Sequence, residues 1–196
     1  MRSGRGLGVA SVLLLVGLAV AGCSDDDGTT STTAAGGGDS GAEVTICDPE
    51  GAPQADEDLP QVAMISEAVE ALEAELGGPA SFFEINVTAR LVNLFVALND
   101  AEVVQPWLYI DGELSSQEGQ PATGGTFTAT DLEFDPEAVL SGIRAEVPDA
   151  ILESFYVQGD GQGNLLYGVL ASARCGGGLD IIVGGDGTVK SVDPVS

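Results

Sequence analysis

Residues 81–114 read SFFEINVTARLVNLFVALNDAEVVQPWLYIDGEL, and their patterning decides the fold class. Phe83, Ile85 and Val87 alternate with Glu84, Asn86 and Thr88, the period of a strand with one buried face. Leu91 to Leu98 is a more continuous apolar run, and Trp107 to Ile110 is a third. Asp111-Gly112 is a turn signal, after which Leu114 continues the pattern. A helix precedes these strands. Asp56, Glu57 and Asp58 place negative charge at its start, and Pro60 suits its first turn. Val62, Ile65, Val69, Leu72 and Leu76 recur at spacings of three and four, which is one apolar stripe. Gly77-Gly78-Pro79 stops it. The opposite face holds Glu67, Glu70, Glu73 and Glu75, a solvated face or a docking surface for a basic partner.

A similar order returns further on. Asp135-Pro136-Glu137 starts a second helix, with an Asp cap and Pro at the first position. Val139, Leu140, Ile143 and Val147 form its stripe, and Pro148 ends it. Phe155 and Val157, then Leu165 to Ala173, then Leu179 to Val183 are strand-like, with turns at Asp160-Gly161-Gln162-Gly163 and Asp186-Gly187. At an offset of 74, Ile65 and Val69 fall on Val139 and Ile143. At 75, Asp111-Gly112-Glu113-Leu114 falls on Asp186-Gly187-Thr188-Val189. The expectation is an α+β domain of two helix-plus-antiparallel-strand units (α-β-β-β), at 58–116 and 135–193. The alternative is one α+β domain whose helices happen to be spaced alike.

Outward from this core the chain changes character. Of 196 residues, 31 are Asp or Glu and six Lys or Arg, a net charge of -25. A sequence pI near 4.1 excludes nucleic acid as a partner, because phosphate binding needs clustered cations. Residues 1–22 read as a secretory signal: Arg2 and Arg5, an apolar run from Leu7 to Ala21, then small residues. That run falls short of the ~20 residues of a membrane span. Residues 23–42 read as a flexible tether rich in Gly, Ser, Thr and Asp, and 43–196 as the folded extracytoplasmic domain. Without residues 1–22 the chain loses two bases and no acid, leaving four bases (Arg90, Arg144, Arg174, Lys190) and a net charge of -27.

Val20-Ala21-Gly22-Cys23 resembles the lipobox of bacterial lipoproteins. The resemblance implies a diacylglyceryl group on the sulfur of Cys23, cleavage before it, and localisation at the cell membrane facing the extracytoplasmic side. Acyl burial contributes about 0.8 kcal/mol per CH₂, so two chains hold the protein stably. Cys47 and Cys175 then remain. In an oxidising compartment an even pair suggests a disulfide. The alternative is a reactive thiol at Cys175, helped by Arg174.

The helix from Pro136 to Val147, the strand Leu165 to Ala173, and Asp186-Gly187-Thr188-Val189 with Val192-Asp193-Pro194 resemble the PepSY-like and β-lactamase-inhibitor-protein-like family. These are exported tandem helix-plus-antiparallel-sheet domains. The resemblance spans about 130 residues at the level of pattern, and implies a role in binding or inhibiting another protein.

Chemistry has few candidates. The chain has no His, which removes Ser-His-Asp and Cys-His catalysis and every His-bearing zinc site. Lys190 is the only Lys, and neither SxxK nor GxSxG occurs. Carboxylate pairs are too plentiful to single out; Glu84 and Asp111 are as eligible as any. No catalytic residue, metal ligand or cofactor is therefore assigned, and enzyme stands as the minor alternative. Cys175 to Val183 looks like a nonapeptide calcium repeat, but the following nine residues have Val189 where the second Asp belongs. Both stretches read as glycine-rich turns flanking a strand. Asp160 to Asn164 lacks the Glu of an EF-hand loop. Asn86-Val87-Thr88 matches a glycosylation sequon by chance, inside a strand. Trp107 and Tyr109 are either partner anchors on an exposed sheet face or core residues. The functional expectation is a lipid-anchored, non-catalytic protein-binding or inhibitory module of the cell envelope. The alternative is a lipid or small-molecule carrier with an apolar cavity.

Overall fold

The structure, a computed structural model, describes residues 51–195. The signal segment, Cys23, the tether and Cys47 lie outside the described residues. The described chain begins with a 3₁₀ turn at Asp56–Asp58, followed by α1 (Met64–Leu76). Strands β1 (Ser81–Val87), β2 (Val92–Leu98), β3 (Val103–Ile110) and β4 (Glu113–Ser116) come next. Two short strands, β5 (Gln120–Pro121) and β6 (Phe127–Thr128), lead to a second 3₁₀ turn and α2 (Pro136–Glu146). The chain ends with β7 (Ala150–Gly159), β8 (Leu165–Ala173), β9 (Gly178–Val183) and β10 (Val189–Val195).

All ten strands belong to one antiparallel sheet, in the order β10-β9-β8-β7-β1-β2-β3-β4, with β5 on β3 and β6 on β1. This corrects the expected α+β class and its two helix-plus-strand units. Among the described residues the chain is mainly antiparallel β, with two α-helices. The boundary foreseen between 58–116 and 135–193 is crossed by pairing: β1 runs beside β7, with Ile85 opposite Val157 and Val87 opposite Phe155. Helix caps and stripes are loud signals in a sequence. Pairing between distant strands leaves no local mark, so the helices stand out in the sequence and the continuity of the sheet does not.

The Gly77 ending of α1 and the start of α2 fall where their punctuation places them, but α1 begins only at Met64: Asp56–Asp58, expected at its start, form a separate 3₁₀ turn, and Pro60 lies outside the helix. Gly77 takes a left-handed φ of 75° after Leu76, and the Gly78 amide donates to the Glu73 carbonyl, a Schellman-type ending. Asp135 caps α2, its Oδ1 accepting from the amides of Glu137 (3.0 Å) and Ala138 (3.1 Å). Ile65, Ala68, Val69 and Leu72 of α1, and Val139 and Ile143 of α2, are buried. Both helices lie on one face of the sheet, α1 over β1 and β2, α2 over β9 and β10. Phe127 and Phe134 pack against that same face, within 5.8 Å of Phe82 and 5.6 Å of Phe155.

One strand departs from its expected alternation. A β-bulge between Phe82 and Glu84 places Phe82, not Phe83, in the core with Ile85 and Val87. Beyond the bulge the period of two holds.

Candidate functional site

The sheet has a covered face and an open one. Cross-strand partners identify the open face: Leu108, Asn93, Asn86, Tyr156, Gly168 and Ile182 form one continuous row. Phe95, Glu84, Gln158 and Leu166 share that side, as do Leu170 and Asp180. The centre of the row is polar and internally satisfied. Asn93 Nδ2 donates to Asn86 Oδ1 (2.6 Å), and Asn86 Nδ2 to Glu84 Oε1 (3.0 Å). Tyr156 lies across Gly168, where any Cβ would come within 2.3 Å of the Tyr156 ring. Its hydroxyl donates to Asp180 Oδ1 at 2.9 Å. Burial, and then this hydrogen bond to a carboxylate, push the phenol well above its ordinary range. Around this fixed polar centre, Ile110, Ile151, Leu166 and Leu170 expose between 36% and 42% of their surface. A segment including Ala122 to Gly125 crosses one end of the face and closes a cleft of about 190 Å³ with Phe83, Phe95 and Val104.

A larger cleft, about 680 Å³, lies at the other end of the sheet. It exists because the strands differ in length. β1 pairs with β7 only as far back as Phe155, so Ala150 to Ser154 extend past it. Gln54 occupies the vacated edge: its Oε1 accepts from the Leu152 amide and its Nε2 donates to the Leu152 carbonyl, both at 2.8 Å. One side-chain amide thus stands in for a strand. Arg144 fixes this segment by donating to the Gln54 carbonyl (2.9 Å) and to Asp56 (3.1 Å), and Arg174 donates to the Ala52 carbonyl. The turn Thr88–Leu91 forms the opposite wall, with Ile151, Glu153 and Arg174 beside it.

Of the residues singled out by sequence, Tyr109 is buried on the helix-covered face, and its hydroxyl donates to Glu67 Oε1 at 2.6 Å. That hydrogen bond, with burial, holds the phenol above its usual value. Trp107 faces the same side, opposite Leu94, half-buried against the core with its indole nitrogen lacking a partner. Neither residue belongs to the open face. Cys175 is disulfide-bonded; its expected partner, Cys47, lies outside the described residues, as does Cys23. Two glycines of the calcium-like stretch serve close packing: a Cβ on Gly185 would meet the Glu133 carbonyl at 2.1 Å, and one on Gly187 the Ala138 carbonyl at 2.1 Å, whereas Gly176 and Gly177 turn the chain at positive φ with nothing within 4 Å. Asp160 accepts from the amides of Gln162 and Asn164 and so builds its own turn. Asn86 of the sequon is committed to the polar row. Sequence reasoning missed the open-face row and the Gln54 clamp. The row was visible as alternate positions of each strand, but its assembly depends on register.

Comparison with protein-family models, with curated proteins and with solved structures finds no match to this chain.

Proposed function

We propose that this is a lipid-anchored extracytoplasmic protein of the cell envelope whose domain binds a partner protein, as a non-catalytic or inhibitory module, through the open face of its sheet. The observation carrying this reading is the asymmetry of that sheet. One face is sealed by two helices, while the other presents Leu166, Leu170, Ile110 and Ile151 around an ordered polar centre. Exposed apolar side chains able to anchor a partner, beside polar groups already satisfied within the sheet, suit a protein-binding surface. The lipobox supports the anchor, with the tether giving reach from a membrane.

A photo-crosslinking residue tests the face directly. Placed at Leu170 on intact cells, it should give one discrete adduct; placed at Glu70 on the exposed side of α1, it should give none. Equal labelling from both positions, or none from Leu170, would defeat the reading. Changing Cys23 to Ala should move the protein from the membrane fraction to the soluble one; retention in the membrane would refute the anchor.

A further inference from the structure

The geometry points to the 680 Å³ cleft at the end of the sheet as a binding site for a single-chain amphiphile with an oxyanion head, a carboxylate or phosphate on an alkyl chain. This goes beyond the protein-binding reading and uses the end of the sheet, sharing only Ile151 with the open face.

Charge carries the first part of the argument. Of the four bases that follow residue 22, two, Arg90 and Arg174, line this one cleft. Arg144 is spent on Asp56 and the Gln54 carbonyl. Among the described residues, the Arg90 guanidinium has neither a hydrogen-bond nor an ion-pair partner. Arg174 donates one nitrogen to the Ala52 carbonyl, while its Nε is buried without an acceptor. Buried guanidinium donors are ordinarily satisfied, and an unsatisfied one is costly. An oxyanion with two acceptor oxygens, a carboxylate or a phosphate, is the ligand whose acceptors match a guanidinium fork.

The rest of the cleft selects the body of the ligand. Leu91 and the half-exposed Ile151 give it an apolar wall. Its volume falls within the range of sites that enclose a drug-sized molecule. Asp58 and Glu153 also line it, which disfavours a ligand with a second anionic group along its chain. One charged head and one short chain satisfy all three features.

Calorimetric titration of the full chain with decanoate, decyl phosphate and decanol, the anions below their micelle-forming concentrations and the alcohol below its solubility limit, tests the assignment. Decanoate or decyl phosphate should bind with a dissociation constant of about 0.1 mM, the scale expected for about a dozen heavy atoms. Decanol should bind at least about tenfold more weakly, since the charged hydrogen bonds are lost. Preference between the two anions names the head group. Arg174→Gln should abolish the difference between anion and alcohol. Because Arg174 also anchors Ala52, Arg90→Glu is the second variant; Arg90 is exposed and its side chain holds no part of the fold. Failure of both anions to bind, decanol binding as tightly as decanoate, or both variants keeping full affinity would overturn the proposal.

Discussion

Gly142 sits in the middle of α2, where Ala should improve helix propensity by about 1 kcal/mol. The tertiary contact decides otherwise. A Cβ at 142 would lie 2.0 Å from the carbonyl oxygen of Gly187, so the β9–β10 hairpin must retreat. Overpacking of this kind costs about 1–3 kcal/mol, and it acts on backbone that cannot swing aside. Gly142→Ala should therefore lower Tm by a few degrees, while Gly78→Ala, with nothing within 4 Å, should leave it nearly unchanged. A rise in Tm for Gly142→Ala would show that the hairpin yields freely. Three aspartates are the next residues of interest. The Thr128 amide holds the Asp131 carboxyl below its usual value; the Asn164 side-chain amide does so for Asp160, and the Thr188 amide for Asp186. Folded-state values lowered below the unfolded ones mean that the unfolded chain binds more protons as pH falls. Their stabilisation is complete above the unfolded value of about 3.9 and is lost as pH drops through the lower folded values. Urea midpoints should hold steady from neutrality to about pH 5 as far as these groups are concerned, and fall below pH 4. In a triple Asn variant the acid limb of that curve should be shallower.

At the scale of the element, the cap of α2 is the most direct test. Asp135 Oδ1 satisfies two first-turn amides, and the helix has only 11 residues to hold it against the sheet. Asp135→Ala should cost about 1 kcal/mol, and Asp135→Ser should recover most of it. The cap was legible in the sequence, as were the apolar stripes apart from Leu76, which is exposed, the Gly77 ending and the Asp111-Gly112 turn, because each rests on residues within one or two turns of one another. The bulges were not. Nothing local marks Phe83 as the extra residue of β1 or Glu153 as that of β7; the partner strands set them. The segment from Glu118 to Leu132 was equally silent. It holds one aromatic, Phe127, which is nonetheless buried beside Phe82. Gln54 is a further case. A glutamine before a helix carries no sign that it will pair with Leu152, 98 residues away, and it does so only because β1 stops short of β7. Gln54→Ala should cost about 1–2 kcal/mol and expose the Leu152 amide to hydrogen exchange.

For the whole molecule, the central issue is whether the two halves fold as one. A reading of helix and strands in each half would allow separate stabilities, and the structure argues against this. Ile85 and Val157, and Val87 and Phe155, are paired in mid-sheet and wholly buried. Phe134, from the segment before α2, packs on Phe155 and Tyr167 in the same core. Trp107, the single tryptophan, reports from β3, near one edge of the sheet. Ile181, fully buried in β9, lies near the other, with four strands between them. Truncating Ile181 to Ala removes packing worth about 3 kcal/mol, which shifts a urea midpoint by about 1.5 M at a slope near 2 kcal/mol/M. In one cooperative sheet, Trp107 fluorescence must register that whole shift although nothing near Trp107 has changed, and it must coincide with circular dichroism. If the halves unfold apart, the fluorescence midpoint stays at its wild-type value while part of the dichroism moves. The reciprocal variant, Leu94→Ala beside Trp107, should give the same coincidence from the other side, since both residues draw on a single core.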